Sequence, residues 1–440
     1  MDTTGHNNSS ENNKSKTYQG CNLVGFFDEG MFLIIRQCEL NQCRFLKPFP
    51  IHFVNLYSSQ QNKKGIGLLN IYIMILSVVL LGILLLLIGF MLLVFFIKKR
   101  DMNKTKDDIV KFMGNNPNMW SMSFIQNDNE IINFNKDKII PLASTVKIIY
   151  AVAFINAVRD KFLNSDELIP IKEVDSLYLK NTDGNAHVLW KENEQIGNEV
   201  TLKEIAKGMM KYSSNACTDY IFYKLGKGKI NEVIREYSLL EHTEIYPINS
   251  ALLIPSYLYI EEKVAKKKIA QTIREMSNSH FNLLATELLD KVINGEANIF
   301  IEELQMVSDM KIQREITKKL PAASSLDYAK LMHQLGKSIK LDKEDKQLLD
   351  DLMGFSDYQI SGERLWYKGG NTLFILTSAF YRSNDSEDIS FSFFIEDMSA
   401  LETIWIEKKF NEFIKAFLDD HLFRTKVLSV LSEINDKTEI

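Results

Sequence analysis

The stretch PLASTVKIIYAVAFI, residues 141–155, decides how the chain reads. Ser144 and Lys147 stand three positions apart at the head of a run with almost nothing else polar in it. On a helix, residues i and i+3 share a face, so the hydroxyl and the amine can touch. Val146, Ile148, Ile149, Val152, Ala153, Phe154 and Ile155 make the segment apolar on every side, which predicts a buried helix. Burial penalises an ammonium and lowers its pKa. A lysine so depressed can take the serine proton and make a nucleophile without histidine. The pair alone is weak, because a Ser-x-x-Lys spacing arises by chance in a chain of this length.

Two further stretches bear on it. Tyr212-Ser213-Ser214-Asn215 lies where two amphipathic helices, read from VTLKEIAKGMMKYSSNACTDYIFYKLG, are expected to meet. A serine and an amide there can relay a proton and hold a substrate carbonyl. Equally, Ser213 or Ser214 can serve as an N-cap for the helix from Asn215. Thr201, with Glu204 three residues on, reads as a capping box for the preceding helix. The third stretch is Trp366-Tyr367-Lys368-Gly369-Gly370-Asn371-Thr372. Glycines inside a strand weaken it, so the pair there points to a bulge or to the close approach of a backbone or ligand.

Taken together, in the order SxxK, SxN, KGG on helix, helix junction and strand, the three resemble the penicillin-recognising serine hydrolases, whose motifs are S-x-x-K, S-D-N and K-T-G. The class A β-lactamase-like branch is the nearest resemblance, over about residues 110–435. It implies Ser144 as acylated nucleophile, Lys147 as its proton acceptor, Ser213 as proton shuttle and Asn215 as a contact to the substrate amide. It also implies that Lys368 supports Ser213 and the substrate's anionic end. The backbone N–H groups of Ser144 and Asn371 would form the oxyanion hole, beside Gly369 and Gly370. The sequence departs from the pattern in three places. Ser214 replaces the aspartate of S-D-N, and Gly369 lacks the hydroxyl of K-T-G. The deacylating glutamate of E-x-x-L-N has no clean match, because in TEIYPIN (residues 243–249) its register falls on Ile245, one residue past Glu244. Glu244 stays as a possible deacylation base.

The rest of the chain bounds this reading. With 440 residues, 45% of them hydrophobic, 25% charged and a net charge of −5, the composition is globular and gives no electrostatic case for nucleic acid. Residues 68–97 form an uncharged apolar run, longer than the roughly 20 residues a bilayer needs, and read as a transmembrane helix. The run is too long, and too far from the start of the chain, for a cleaved signal peptide. Residues 1–67 read as a tail disordered at least over its polar first 20 residues, and residues 98–110 as a linker. Residues 111–440 read as the hydrolase domain, with a charged helical insertion at about 256–319. Lys98, Lys99, Arg100, Lys104, Lys106 and Lys111 follow the apolar run, so the positive-inside rule favours a cytoplasmic domain, whereas the family resemblance favours an extracytoplasmic one. Cys21, Cys38 and Cys43 precede the membrane helix and Cys217 is alone after it, so the domain closes no internal disulfide, and the spacing fits no zinc pattern.

The expected fold is α/β (α+β): a hairpin around Asn127-Asp128-Asn129, further strands near the C-terminus in one antiparallel sheet, and covering helices. His187, His242, His280, His333 and His421 sit in no Gly-x-Ser-x-Gly context and are expected at the surface. No metal or organic cofactor is implied. The expected partners are a small β-lactam or peptidoglycan-like substrate and a membrane. The function expected is a membrane-anchored serine hydrolase, against a D,D-peptidase, a sensor that turns over slowly or not at all, and a decayed anchor.

Overall fold

The computed structural model describes residues 63–338, 341–354 and 363–438. Most of the expected tail, with Cys21, Cys38 and Cys43, lies outside these residues. Helix α1 (Lys63–Met102) is one continuous element whose Ile71–Met102 part is long and apolar enough to cross a membrane. Its large apolar side chains from Ile71 to Phe96 are exposed, so no protein core explains their hydrophobicity.

Beyond it come α2 (Lys106–Asn115), strands β1 (Trp120–Gln126), β2 (Asn129–Phe134) and β3 (Ile140–Pro141), and α3 (Lys147–Arg159). Strands β4 (Leu168–Pro170) and β5 (Glu199–Thr201) flank α4 (Ala186–Asn193), and α5 (Leu202–Lys207) and α6 (Asn215–Glu236) follow. The expected insertion is helical: α7 (Lys266–Glu275), α8 (Asn278–Ile293), α9 (Asn298–Val307) and α10 (Met310–Lys319). Then follow β6 (Ala322–Ala323), α11 (Ser325–Lys337), α12 (Lys343–Met353), β7 (Arg364–Asn371), β8 (Ile375–Ser383) and β9 (Asp388–Glu396). Helices α13 (Thr403–Asp419) and α14 (His421–Thr438) close the chain.

One five-stranded sheet, in the order β2-β1-β9-β8-β7, joins the two ends of the domain, and all its pairings are antiparallel. The β1–β2 hairpin turns through Asn127 (φ 48°) and Asp128 (φ 67°), two residue types that tolerate the left-handed region a tight hairpin turn requires. Strand alternation sorts the faces. Trp120, Met122, Phe124, Phe391, Phe393 and Ile395 enter a core shared with α2, α13 and α14. Ser121 and Ser123 point the other way, where both hydroxyls meet Ser325 Oγ at 2.5 and 3.0 Å. These small side chains let α11 lie close against the sheet. The second core is built on α3, whose Lys147–Ile155 are all buried, with α6–α11 around it. Helices α7–α10 extend this core: Phe281 of α8 meets Tyr246 edge to face, and Phe300 of α9 meets Tyr257.

Two local expectations change: the sequence reads the β-rich stretch as interrupted by its Gly pair, and residues 402–434 as a single closing helix. The Gly pair does not break the β-rich stretch. It lies inside β7, and the chain turns later, where Thr372 N–H donates to Ile375 O (2.9 Å). The closing helix is two helices, divided at Asp420, whose carboxylate accepts the Phe423 N–H (3.0 Å) at the start of α14.

Candidate active site

Ser144 does not lie in the α-helix. It sits in a 3₁₀ turn, Ala143–Val146, and the α-helix begins at Lys147. In a 3₁₀ turn residues i and i+3 eclipse, so the pair stays on one face. Ala143, directly before Ser144, has φ 46° without being glycine, a strained conformation that the surrounding structure must hold. Two contacts hold it. Thr145 Oγ1 and Thr377 Oγ1 of β8 are 2.8 Å apart, and Thr377 donates to Leu142 O at 2.7 Å. From β7, Gly370 presses against the turn so closely that a Cβ there would stand 2.5 Å from Ser144 N and 2.6 Å from Leu142 O and Thr145 N. That approach is the physical reason for glycine at this strand position.

Lys147 is fully buried. Its Nζ donates to Ser213 O (2.7 Å), Ser213 Oγ (3.3 Å) and Asn215 Oδ1 (2.9 Å). Lys368 Nζ reaches the same Ser213 Oγ from β7, at 3.0 Å. Ser213 presents its hydroxyl to both lysines from a left-handed backbone (φ 68°), between the π-turn Gly208–Tyr212 and α6. Burial lowers the Lys147 pKa to about 7, although Asp183, Cys217 and Asp219 pull it back up. Burial also drives the Lys368 pKa well below the usual lysine range, and the Lys147 charge adds to the effect. The site therefore holds two amines that share one hydroxyl, with Lys147 poised near neutral pH. This arrangement can move protons without histidine.

The acids near Lys147 are buried supports. Asp219 accepts from Ser250 N (2.7 Å), Ser250 Oγ (2.7 Å) and Asn249 N (3.2 Å), fastening α6 to the loop after Tyr246, and burial raises its pKa to about 6. Asp183 accepts the His187 N–H (3.2 Å), and its pKa is raised by burial against the pull of Lys147. Ser214 caps α6 by accepting the Cys217 N–H (3.2 Å). Within the Ser-Ser pair the cap thus falls on Ser214 and the lysine contacts on Ser213. Behind the pair, Gly208 lies against Trp190 and Cys217, where a Cβ would be 2.8 Å from the indole ring and 2.9 Å from Sγ.

The expectation of surface histidines fails for His187, which is 2% exposed. Its Nδ1 faces Ser214 Oγ at 3.1 Å and its Nε2 faces Asp175 Oδ1 at 2.8 Å. His242 is half-buried, with its Nδ1 against Thr243 O (2.6 Å). Only folding brings these groups together, and nothing local in the sequence marks them.

Glu244 is not drawn into the cluster. It is exposed, paired with Lys227 (2.8 Å) and bonded by Asn282 Nδ2 (3.0 Å). Ile245, at the glutamate register, is fully buried, and its backbone N–H and C=O are both held by the Asn231 side chain. Gly369 is half-buried, and a Cβ there would stand 2.6 Å from the Tyr367 hydroxyl. Asn371 is exposed, and its Nδ2 donates to Glu407 of α13, whose pKa burial raises to about 7. Among the described residues, no group of three or more His, Cys, Asp or Glu side chains is placed to hold a metal ion.

No curated protein sequence matches the chain. Solved structures do. PBP-A aligns with a TM-score of 0.41 and 16% identity, over 70% of this chain and 96% of that one. A representative class A β-lactamase from Bacteroides cellulosilyticus aligns at 0.43 and 11%, over 76% and 100%. The chromosome-encoded β-lactamase of Vibrio parahaemolyticus aligns at 0.44 and 12%, over 72% and 100%. Residues 103–359, more than half of the sequence, match the model of the Beta-lactamase enzyme family, and the chain belongs to that family.

Proposed function

We propose that the protein is a membrane-anchored serine hydrolase that works through an acyl-enzyme on Ser144, with a β-lactam or a related amide or ester as substrate. The observation that carries the reading is the convergence of Lys147 and Lys368 on Ser213 Oγ, beside the strained turn that presents Ser144. In this mechanism the neutral Lys147 amine takes the Ser144 proton as Oγ attacks the carbonyl. The backbone N–H groups of Ser144 and Asn371 receive the developing oxyanion, where donors act most because the charge forms only in the transition state. Ser213 passes a proton to the leaving nitrogen and is resupplied by the Lys147 ammonium. Asn215 positions the substrate amide, and Lys368 holds Ser213 and the anionic end of the substrate. Gly369 supplies no hydroxyl to that end. The anchor is residues 68–97, with the catalytic domain outside the cytoplasm. Long domains translocate despite the positive charges that follow the helix.

The test is labelling of the full-length chain in detergent with a fluorescent penicillin. Ser144→Ala should abolish the label while the fold persists, and Lys147→Ala should lose nearly as much. Label that remains and maps to another serine overturns the assignment. In intact cells, a membrane-impermeant thiol reagent that modifies Cys21, Cys38 or Cys43 overturns the orientation.

The placement of Glu244 favours a second reading: a D,D-peptidase or a β-lactam or peptidoglycan sensor that acylates and releases slowly. Stable labelling supports it, and rapid release supports a β-lactamase.

A further inference from the structure

We propose that His187, held by Asp175, is a positioning residue for the Ser144 chemistry: it accepts the Ser214 hydroxyl proton and so fixes the junction that places Ser213 and Asn215 against Lys147. The inference rests on Ser144 being the nucleophile.

Ser214 is fully buried between the two residues that touch Lys147. To cap α6 its Oγ accepts the Cys217 N–H, so the hydroxyl proton needs an acceptor of its own. His187 Nδ1, at 3.1 Å, is that acceptor, provided that the ring proton is on Nε2. Asp175 requires this tautomer, because a carboxylate only accepts and its Oδ1 is 2.8 Å from Nε2. Asp175 is itself anchored, with Lys191 Nζ 2.7 Å from its other oxygen. The Tyr178 ring stacks on the imidazole at 4.9 Å and fixes its plane. The charged groups facing His187 are Asp175, Asp183 and Lys191, and burial lowers its pKa, which keeps the ring neutral at neutral pH. The same segment carries Asp183, whose carboxylate accepts the His187 backbone N–H at 3.2 Å and so fixes the start of the helix that bears the imidazole. Ser214 stands where the related S-D-N motif has its aspartate. Here the residue at that place is a serine held by an acid–imidazole pair from residues 175–187.

Two measurements on the full-length protein test this. In the ¹⁵N-histidine-labelled native chain, the His187 resonances, identified by their loss in His187→Asn, should show a neutral ring with the proton on Nε2 at pH 7. A ring protonated on Nδ1 or carrying a charge overturns the inference, whatever the activity. In the second, His187→Leu should slow Ser144 labelling by about 10²-fold, the scale of a small misplacement of catalytic groups. His187→Asn, whose Oδ1 replaces Nδ1 as acceptor, should recover most of that rate. In a Ser214→Ala background, His187→Leu should cost little more, since both act through one bond. Equal losses in both backgrounds, or no recovery with asparagine, overturn the inference. If no probe labels Ser144 in the native chain, the hydrolase reading fails, and the resonance measurement alone decides on the tautomer.

Discussion

Lys147 and Lys368 donate to one oxygen, Ser213 Oγ, at 3.3 and 3.0 Å. Two ammonium groups so close in a dry interior oppose each other, and burial disfavours the charge on both. Titration therefore belongs to the pair rather than to either lysine alone. In the proposed mechanism the neutral amine is the base, and the Lys147 pKa is lowered to about 7. Its neutral fraction grows as pH rises, so the rate of Ser144 labelling should climb through about pH 7 and level off above it. A rate that is flat from pH 5 to 9 would exclude Lys147 as the titrating base.

Asp183 tunes that transition. Its buried carboxylate favours the charged form of Lys147 and raises the lysine's pKa against burial. Removing the negative charge should let the pKa fall further. Asp183→Asn should therefore shift the rising limb of the labelling profile to lower pH while Ser144 still labels. A shift to higher pH would show that Asp183 acts on another group.

Gly370 tests the contact between β7 and the nucleophile turn. An added Cβ would fall 2.5–2.6 Å from three backbone atoms, none of which is the end of a flexible side chain. Gly370→Ala should destabilise the fold by about 1–3 kcal/mol, as overpacking does, and slow labelling by displacing Ser144 N. Thermal unfolding and the labelling rate measure the two effects separately. A variant with unchanged melting temperature and rate would mean that the turn yields without loss.

The fold was legible because its signals are local. The alternation of WSMSF, the Asn-Asp turn, the apolar face of α3 and the Gly pair each mark short segments whose physics needs no distant partner. The 3₁₀ start at Ala143 was not legible, because it depends on Thr377 and Gly370, more than 220 residues away in sequence. His187 escaped for the same reason. An isolated histidine in a polar stretch reads as surface, and its burial depends on Tyr178, Trp190 and Ser214 closing around it. The break at Asp420 was not legible because no Pro or Gly marks it, and the Asp420 side chain that caps the Phe423 N–H divides the two helices.

In the proposed mechanism, release of the acyl-enzyme is the step for which the site is least equipped. Hydrolysis needs a base that positions water. The register of the usual glutamate is occupied by Ile245, buried and held through its backbone by Asn231. Its neighbour Glu244 faces outward to Lys227 and Asn282, and the Lys227 ammonium keeps its pKa below the ordinary glutamate value. A carboxylate so paired is a weak base in the wrong place. General-base help is typically worth about 10²–10⁴ in rate, and Lys147 or Ser213 acting as a substitute should supply less. A β-lactam or thioester substrate should therefore give a burst of about one equivalent followed by slow turnover, with acylation faster than release. Glu244→Ala should leave both phases unchanged. The missing hydroxyl at Gly369 should add a high KM for penicillins. Steady hydrolysis of a chromogenic cephalosporin without a burst, lost on Glu244→Ala, would mean that the loop carrying Glu244 turns inward when substrate binds.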